Sequence, residues 1–90
     1  MLSLAAEGDI DRLWAYLVEV DPGAAPRAVE TIRSALATLD MMPERGRPSP
    51  VEGFRELAIP FGRKVYVARY RVDARTVLIT RIHHSNEDRR

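Results

Sequence analysis

Three arginines interrupt otherwise apolar segments near the C-terminal end of this sequence: Arg69, Arg71 and Arg81. Two histidines, His83 and His84, follow the last of them. A guanidinium group on a strand must be solvated or must meet an anion, and its planar fork suits carboxylate and phosphate. Imidazole can exchange a proton near neutral pH. The pattern therefore indicates a surface that binds an acidic protein or nucleic acid, or a site for acid/base chemistry.

Structural roles are the alternative for these side chains. The arginines could form surface ion pairs with Glu56, Glu87 or Asp88, and a histidine at a strand surface needs no catalytic role. Adjacent strand residues such as His83 and His84 point to opposite faces and do not easily hold one metal ion. The sequence has no cysteine, which excludes thiolate metal sites and disulfides. We therefore expect no metal and no cofactor.

Three predicted strands position the charged residues, over 54–59, 65–72 and 76–83. Their short polar connections favour consecutive antiparallel hairpins. Alternation then gives the sheet two different faces. One face carries Glu56, Val67, Arg69, Arg71, Arg81 and His83. The other carries Leu57, Ile59, Ala68, Tyr70 and Val72 and is expected to pack on helices. An ion pair from Glu56 to Arg69 or Arg71 is expected across neighbouring strands.

Two amphipathic helices are predicted before the strands. The first begins near Gly8 and carries a stripe of Ile10, Leu13, Trp14, Leu17 and Val18. The second begins between Pro22 and Pro26, ends by Met42, and carries Ala25, Val29, Ile32, Leu36 and Leu39. The short link between them predicts a helical hairpin. We expect Trp14, Met41 and Met42 to lie in the core.

Two further segments complete the predicted order. Residues 2–4 could add an edge strand, and residues 44–52, rich in Pro and Arg, form a linker between helices and sheet. The sequence therefore predicts one α+β domain over residues 1–90 with the order βααβββ, in which an N-terminal helical hairpin packs on a small antiparallel sheet. No apolar run is long enough to span a membrane, and no signal peptide is evident. We expect a cytoplasmic location.

The charges are distributed unevenly along the chain, although the net charge is only +1. Residues 1–44 hold three arginines and eight acidic residues, a net charge of −5. Residues 45–90 hold eleven basic and five acidic residues, a net charge of +6, and all the basic residues except Lys64 are arginines. This asymmetry favours a basic sheet surface that binds an acidic partner.

Several short motifs, taken in order, resemble the RelE/ParE superfamily of bacterial type II toxins. They are Asp21-Pro22-x-Ala24-Ala25, Pro43-x-x-Gly46-Arg47-Pro48, Gly53-x-Arg55-Glu56-Leu57, Tyr70-Arg71-Val72 and Ile79-x-Arg81-Ile82-x-His84. The similarity covers almost the whole chain. It implies a toxin that a small, ParD-like antitoxin encoded beside it neutralises in a hetero-oligomeric complex.

One branch of this superfamily cleaves messenger RNA on the ribosome, and the sequence matches it only in part. The nuclease branch has an arginine near the start of the third strand, where this sequence has Val67. One group has a linker glutamate, where this sequence has Ser49. The resemblance then leaves four candidates for catalysis: Arg69, Arg81, His83 and Glu56.

The ParE-like branch binds DNA gyrase and catalyses no reaction. Its closing pattern Arg-x-x-His-x-x-x-Asp is matched from Arg81 to Asp88. A ParE-like binding toxin is therefore the leading interpretation. A ribosome-dependent nuclease and a degenerate member that only binds its antitoxin are the alternatives. The resemblance and the charge pattern together predict that antitoxin or target contacts involve Arg55, Arg69, Arg71, Arg81, His83 and His84.

Overall fold

The computed structural model describes residues 1–86, which form two helices followed by a four-stranded antiparallel sheet. The helices are α1, Leu4–Val20, and α2, Ala24–Ala37, which continues into a 3₁₀ turn at Thr38–Asp40. The strands are β1, Arg47–Pro48; β2, Arg55–Phe61; β3, Lys64–Asp73; and β4, Thr76–His84. They lie in the order β1-β2-β3-β4, so β4 is an edge strand. The predicted α+β class and the helical hairpin are confirmed.

The first helix begins four residues earlier than predicted, because Ser3 caps it. The Ser3 hydroxyl accepts a hydrogen bond from the amide of Ala6 at 3.0 Å, which satisfies one of the amides at the helix start. The predicted edge strand over residues 2–4 is wrong. It is reduced to one parallel bridge between Leu2 and Ile79, although the amide of Ser3 still donates to the Ile79 carbonyl.

The core lies between the helical hairpin and the inner face of the sheet. Buried side chains from both helices and from β2, β3 and β4 contribute to it, among them Ile10, Leu13, Leu17, Ile32, Leu36, Leu57, Ile59, Tyr66, Tyr70 and Ile82. Trp14 was predicted in this core but is 42% exposed, because the α1 stripe is centred on Ile10, Leu13 and Leu17, and Trp14 lies at its flank. Met41 and Met42 follow the 3₁₀ turn and are also exposed, which corrects that prediction.

The predicted strand faces hold along most of the sheet, with one exception on β3. Leu57, Ile59, Ala68 and Tyr70 face the helices and are buried, whereas Val72 is exposed. Burial of β3 ends at Tyr70, and the remaining three residues of the strand lie beyond the core at the end of the hairpin.

A bulge in β4 changes the alternation of its side chains. Arg69 is opposite Arg81 and Tyr70 is opposite Ile79, so Thr80 has no opposite residue on β3. The extra residue allows Ile79 and Ile82, three positions apart, both to face the core. It also leaves Arg81 opposite Arg69 on β3.

The linker between α2 and the sheet is fixed by a buried tyrosine. The Tyr70 hydroxyl donates to the Pro43 carbonyl at 2.7 Å and accepts from the Gly46 amide at 2.9 Å. Arg55 also donates to the Gly46 carbonyl at 2.7 Å. A Cβ at position 46 would lie 2.7 Å from both the Glu56 carbonyl and the Tyr70 hydroxyl, so the chain can pass here only as glycine. This anchor directs β1 alongside β2.

No helix within residues 1–86 has both the length and the apolar character needed to cross a membrane.

Candidate functional site

One row of charged residues crosses all four strands on the side of the sheet opposite the helices. Arg47 on β1, Glu56 on β2, Arg69 on β3 and Arg81 on β4 are consecutive partners in the strand register. We call this side the outer face. It is made by Arg47, Glu56, Val67, Arg69, Arg71, Arg81 and His83. The sequence predicted this face correctly except for Arg47, which belongs to a strand that was predicted as linker.

Glu56 is buried in this row and is contacted by the linker. Its carboxylate is only 3% exposed, and the Arg47 guanidinium lies 3.5 Å away. The Ser49 hydroxyl donates to the other carboxylate oxygen at 3.4 Å. Arg69 lies opposite Glu56 in the register, as predicted, but the ion pair with Glu56 comes from Arg47 on the other side.

Arg81 lies in the charged row of the outer face, and its guanidinium group bonds to helix α1. Its Nε and Nη2 atoms donate to the two oxygens of Asp9 at 2.9 and 3.0 Å. The same carboxylate accepts the Ile82 amide at 2.8 Å and lies 3.4 Å from Arg12. The Arg81 side chain is still 54% exposed, as expected for a solvated face, but its acidic partner is Asp9 of α1 rather than one of the acids that the sequence suggested. The other predicted partners, Glu87 and Asp88, lie outside the described residues.

Two opposing effects determine the pKa of Asp9. Burial, the largest effect, would raise the pKa, because Asp9 is only 4% exposed. The hydrogen bonds from Arg81 and Ile82 and the positive charge of Arg81 outweigh burial and hold the pKa below its usual value of 3.8. Asp9 is therefore ionised at neutral pH and links α1 to β4. The sequence analysis did not identify Asp9 as a functional residue. Asp9 precedes Leu13 by four residues, however, and this spacing places it on the buried stripe of α1.

The two remaining arginines of the outer face differ in burial. Arg69 is half-buried, and its Nε atom is buried with no hydrogen-bond partner among residues 1–86. Arg71, the next residue of β3 on this face, is exposed. These two side chains are therefore the cations that the outer face can offer to a ligand.

The histidines lie on opposite sides of the sheet, as predicted. His83 is buried on the outer face, in register with Val67. His84 lies on the helix side, where its ring meets the Tyr66 ring edge-on at 5.6 Å. Arg55, predicted as a binding residue, also lies on the helix side and holds the linker at Gly46. The six predicted contact residues therefore do not form one surface.

A groove of about 470 Å³ opens between α1 and the ends of β3 and β4. We call it the α1 groove. It is lined by Arg12, Leu13, Tyr16, Leu17, Lys64, Tyr66, His84 and Asn86. The lining combines aliphatic and aromatic side chains with the basic Arg12 and Lys64, and the Lys64 ammonium lies 5.8 Å from the centre of the Tyr16 ring. Such a groove can take an apolar side chain flanked by acidic groups.

Comparison with known proteins places the whole fold in one family. Residues 1–89 match the family described as "ParE toxin of type II toxin-antitoxin system, parDE". The chain is 44% identical to Toxin RelE1 of Caulobacter vibrioides, over 99% of this chain and 95% of that protein. It is 38% identical to Toxin RelE3 of the same organism, over 93% and 90%.

A solved structure agrees with these sequence relatives. A chain of the structure described as the chromosomal ParDE toxin-antitoxin system from P. aeruginosa superposes with a TM-score of 0.80 at 29% identity. The match covers 92% of this chain and 90% of that one. The similarity thus extends over both helices and the sheet that carries the outer face. This chain belongs to the ParE toxin family and is a toxin of a type II toxin-antitoxin system.

Proposed function

We propose that this toxin is ParE-like in its action and arrests growth by binding DNA gyrase, without catalysing a reaction. A small ParD-like antitoxin neutralises it in a hetero-oligomer in the cytoplasm. The family match supports the antitoxin partner, and the arrangement of the outer face supports binding rather than catalysis.

The observation that carries this proposal is the ion pair between Arg81 and Asp9. Stabilising a scissile phosphate needs cationic groups directed at the place where charge develops. Arg81 is instead bound through two nitrogens to Asp9, and Glu56 has Arg47 within 3.5 Å. Val67, where the nuclease branch has an arginine, is buried and apolar. The outer face therefore offers less cationic and acid/base chemistry than the sequence alone implied.

A ribosome-dependent nuclease is the second candidate, and one observation favours it. Arg69 and His83 lie on the same face in neighbouring rows of the sheet, so that a cation and an imidazole are close together. His83 would act as the acid/base group and Arg69 would hold the phosphate. Both residues would then be catalytic.

Two assays with the purified toxin separate these functions. The first measures supercoiling by DNA gyrase with increasing toxin, and we expect inhibition. The second is cell-free translation with message ends mapped by primer extension, and we expect intact message. Cleavage at codons in the ribosomal A site would refute gyrase binding as the activity and establish the nuclease. A toxin inactive in both assays would be the degenerate member that only binds its antitoxin.

We also propose that the α1 groove receives an apolar side chain of the antitoxin. The groove is lined by Leu13 and Leu17, which are almost fully buried, and by Tyr16, whose aromatic side chain is exposed on α1. The basic side chains of Arg12 and Lys64 would attract acidic residues on either side of that anchor. Substitution of the exposed Tyr16, compared with substitution of Trp14 outside the groove, tests this assignment.

A further inference from the structure

Arg69 lies in the middle of the outer face without an acidic partner within residues 1–86. Its neighbours in the same row, Arg47 and Arg81, each have a carboxylate within 3.5 Å. The Nε atom of Arg69 is out of contact with solvent and makes no hydrogen bond in the part of the chain that the structure describes. A buried, unpaired donor of this kind destabilises the free protein.

The side chain as a whole is only half-buried, so its terminal nitrogens remain the part that a ligand reaches. We infer that Arg69 is the receptor for one carboxylate side chain of the antitoxin. The inference rests on the proposed antitoxin partner and does not depend on the cellular target.

The surroundings of Arg69 favour a single carboxylate over a nucleic-acid backbone. The neighbouring cations of the row already have acidic partners, so the site has one half-buried cation and the exposed Arg71 beside it. One acidic side chain satisfies this arrangement, whereas a phosphodiester chain needs several unpaired cations.

A partner that stays bound for a long time fits this site better than a transient one. An ion pair that is shielded from water on formation chiefly slows dissociation, whereas an exposed pair chiefly speeds association. Because the stem of Arg69 is already shielded, a carboxylate bound to it would compete little with water. Storage of a toxin in an inactive complex requires slow dissociation, and the antitoxin is the partner that provides it.

The experiment measures the affinity of the antitoxin encoded beside the toxin for toxin variants with single substitutions. Arg69→Gln removes the charge at the proposed receptor. Arg75→Gln removes an exposed charge in the β3–β4 turn, away from the charged row, and is the control. We expect Arg69→Gln to raise Kd by about 30-fold or more, mainly through faster dissociation. We expect the control to change Kd by less than about threefold. Melting temperatures no lower than that of the parent protein would show that the variants keep the fold.

A charge exchange identifies the partner carboxylate. Arg69→Glu in the toxin should abolish tight binding, and one Asp→Lys or Glu→Lys substitution in the antitoxin should restore it. Unchanged affinity of Arg69→Gln, or failure of every reversed acid to rescue Arg69→Glu, would overturn the inference. The inference would also be overturned if Arg69→Gln bound the antitoxin normally but no longer bound a single-stranded RNA oligonucleotide. That result would show that Arg69 binds nucleic acid. Because the readout is antitoxin affinity, a negative gyrase assay would leave this result interpretable.

Discussion

Removing the side chain of Arg81 tests the interpretation of that residue as a structural rather than a ligand-binding cation. Arg81→Ala deletes the two hydrogen bonds to Asp9, at 2.9 and 3.0 Å, and leaves a carboxylate that is 4% exposed. Breaking a fully buried ion pair costs about 3–5 kcal/mol. The Arg81 side chain is 54% exposed, and Asp9 keeps the Ile82 amide and Arg12. We therefore expect a loss of about 2 kcal/mol in the free energy of unfolding.

In a domain of this size, such a loss lowers Tm by about 10 °C, which differential scanning calorimetry measures directly. Arg75→Ala is the control, because Arg75 is exposed in the β3–β4 turn, and it should change stability by less than about 0.5 kcal/mol. Equal Tm values for Arg81→Ala and the parent protein would refute the structural role of Arg81 and favour a role as a ligand-binding cation.

The pH dependence of this difference is a second test of the same reasoning. In the parent protein the pKa of Asp9 is lowered, so its ionisation stabilises the fold above pH 3.8, and this contribution is lost as the pH falls through the folded value. Without Arg81, burial is no longer outweighed and the pKa of Asp9 should rise. The difference in the free energy of unfolding between the parent protein and Arg81→Ala should therefore be largest at neutral pH and should decrease in acid. A gap of constant size from pH 7 to pH 3 would show that Asp9 is not the cause.

Three further substitutions test the linker and the α1 groove. Tyr70→Phe leaves the Gly46 amide and the Pro43 carbonyl without their hydrogen-bond partner. In urea titrations this change should lower the free energy of unfolding by about 1–3 kcal/mol. An unchanged free energy would show that water replaces the hydroxyl. Gly46→Ala should cost a similar amount, about 1–3 kcal/mol, because its Cβ meets main chain, and a stable variant would mean that β1 can shift. Tyr16→Ala should weaken antitoxin binding by about tenfold in calorimetric titrations, with Trp14→Ala as control on the opposite flank of α1; equal effects of the two would contradict the groove assignment.

The charged residues of β2 and β3 were predictable, because alternation along a strand depends only on local sequence. It placed Glu56, Val67 and Arg69 on one face, and the antiparallel register then set Glu56 opposite Arg69. The resemblance to a known superfamily supplied the overall order of elements. These parts of the site follow from short-range patterns.

The partner of the Arg81 guanidinium could not be predicted from local pattern. Asp9 is 72 residues away in the sequence, so the ion pair exists only after α1 has packed along β4. Arg47 was missed because β1 is two residues long and contains Pro48, which gives no periodic signal.

The closure of the β4 edge has a consequence for how this protein distinguishes its partners. The carbonyl of Met1 and the hydroxyl of Ser3 bond to β4, and Asp9 and Arg12 take the amide and the carbonyl of Ile82. An additional strand therefore cannot pair with the sheet at this edge. Such a strand would be bound through main-chain hydrogen bonds, which are the same for any sequence. Recognition on this side depends on side chains, which can differ from one relative to another.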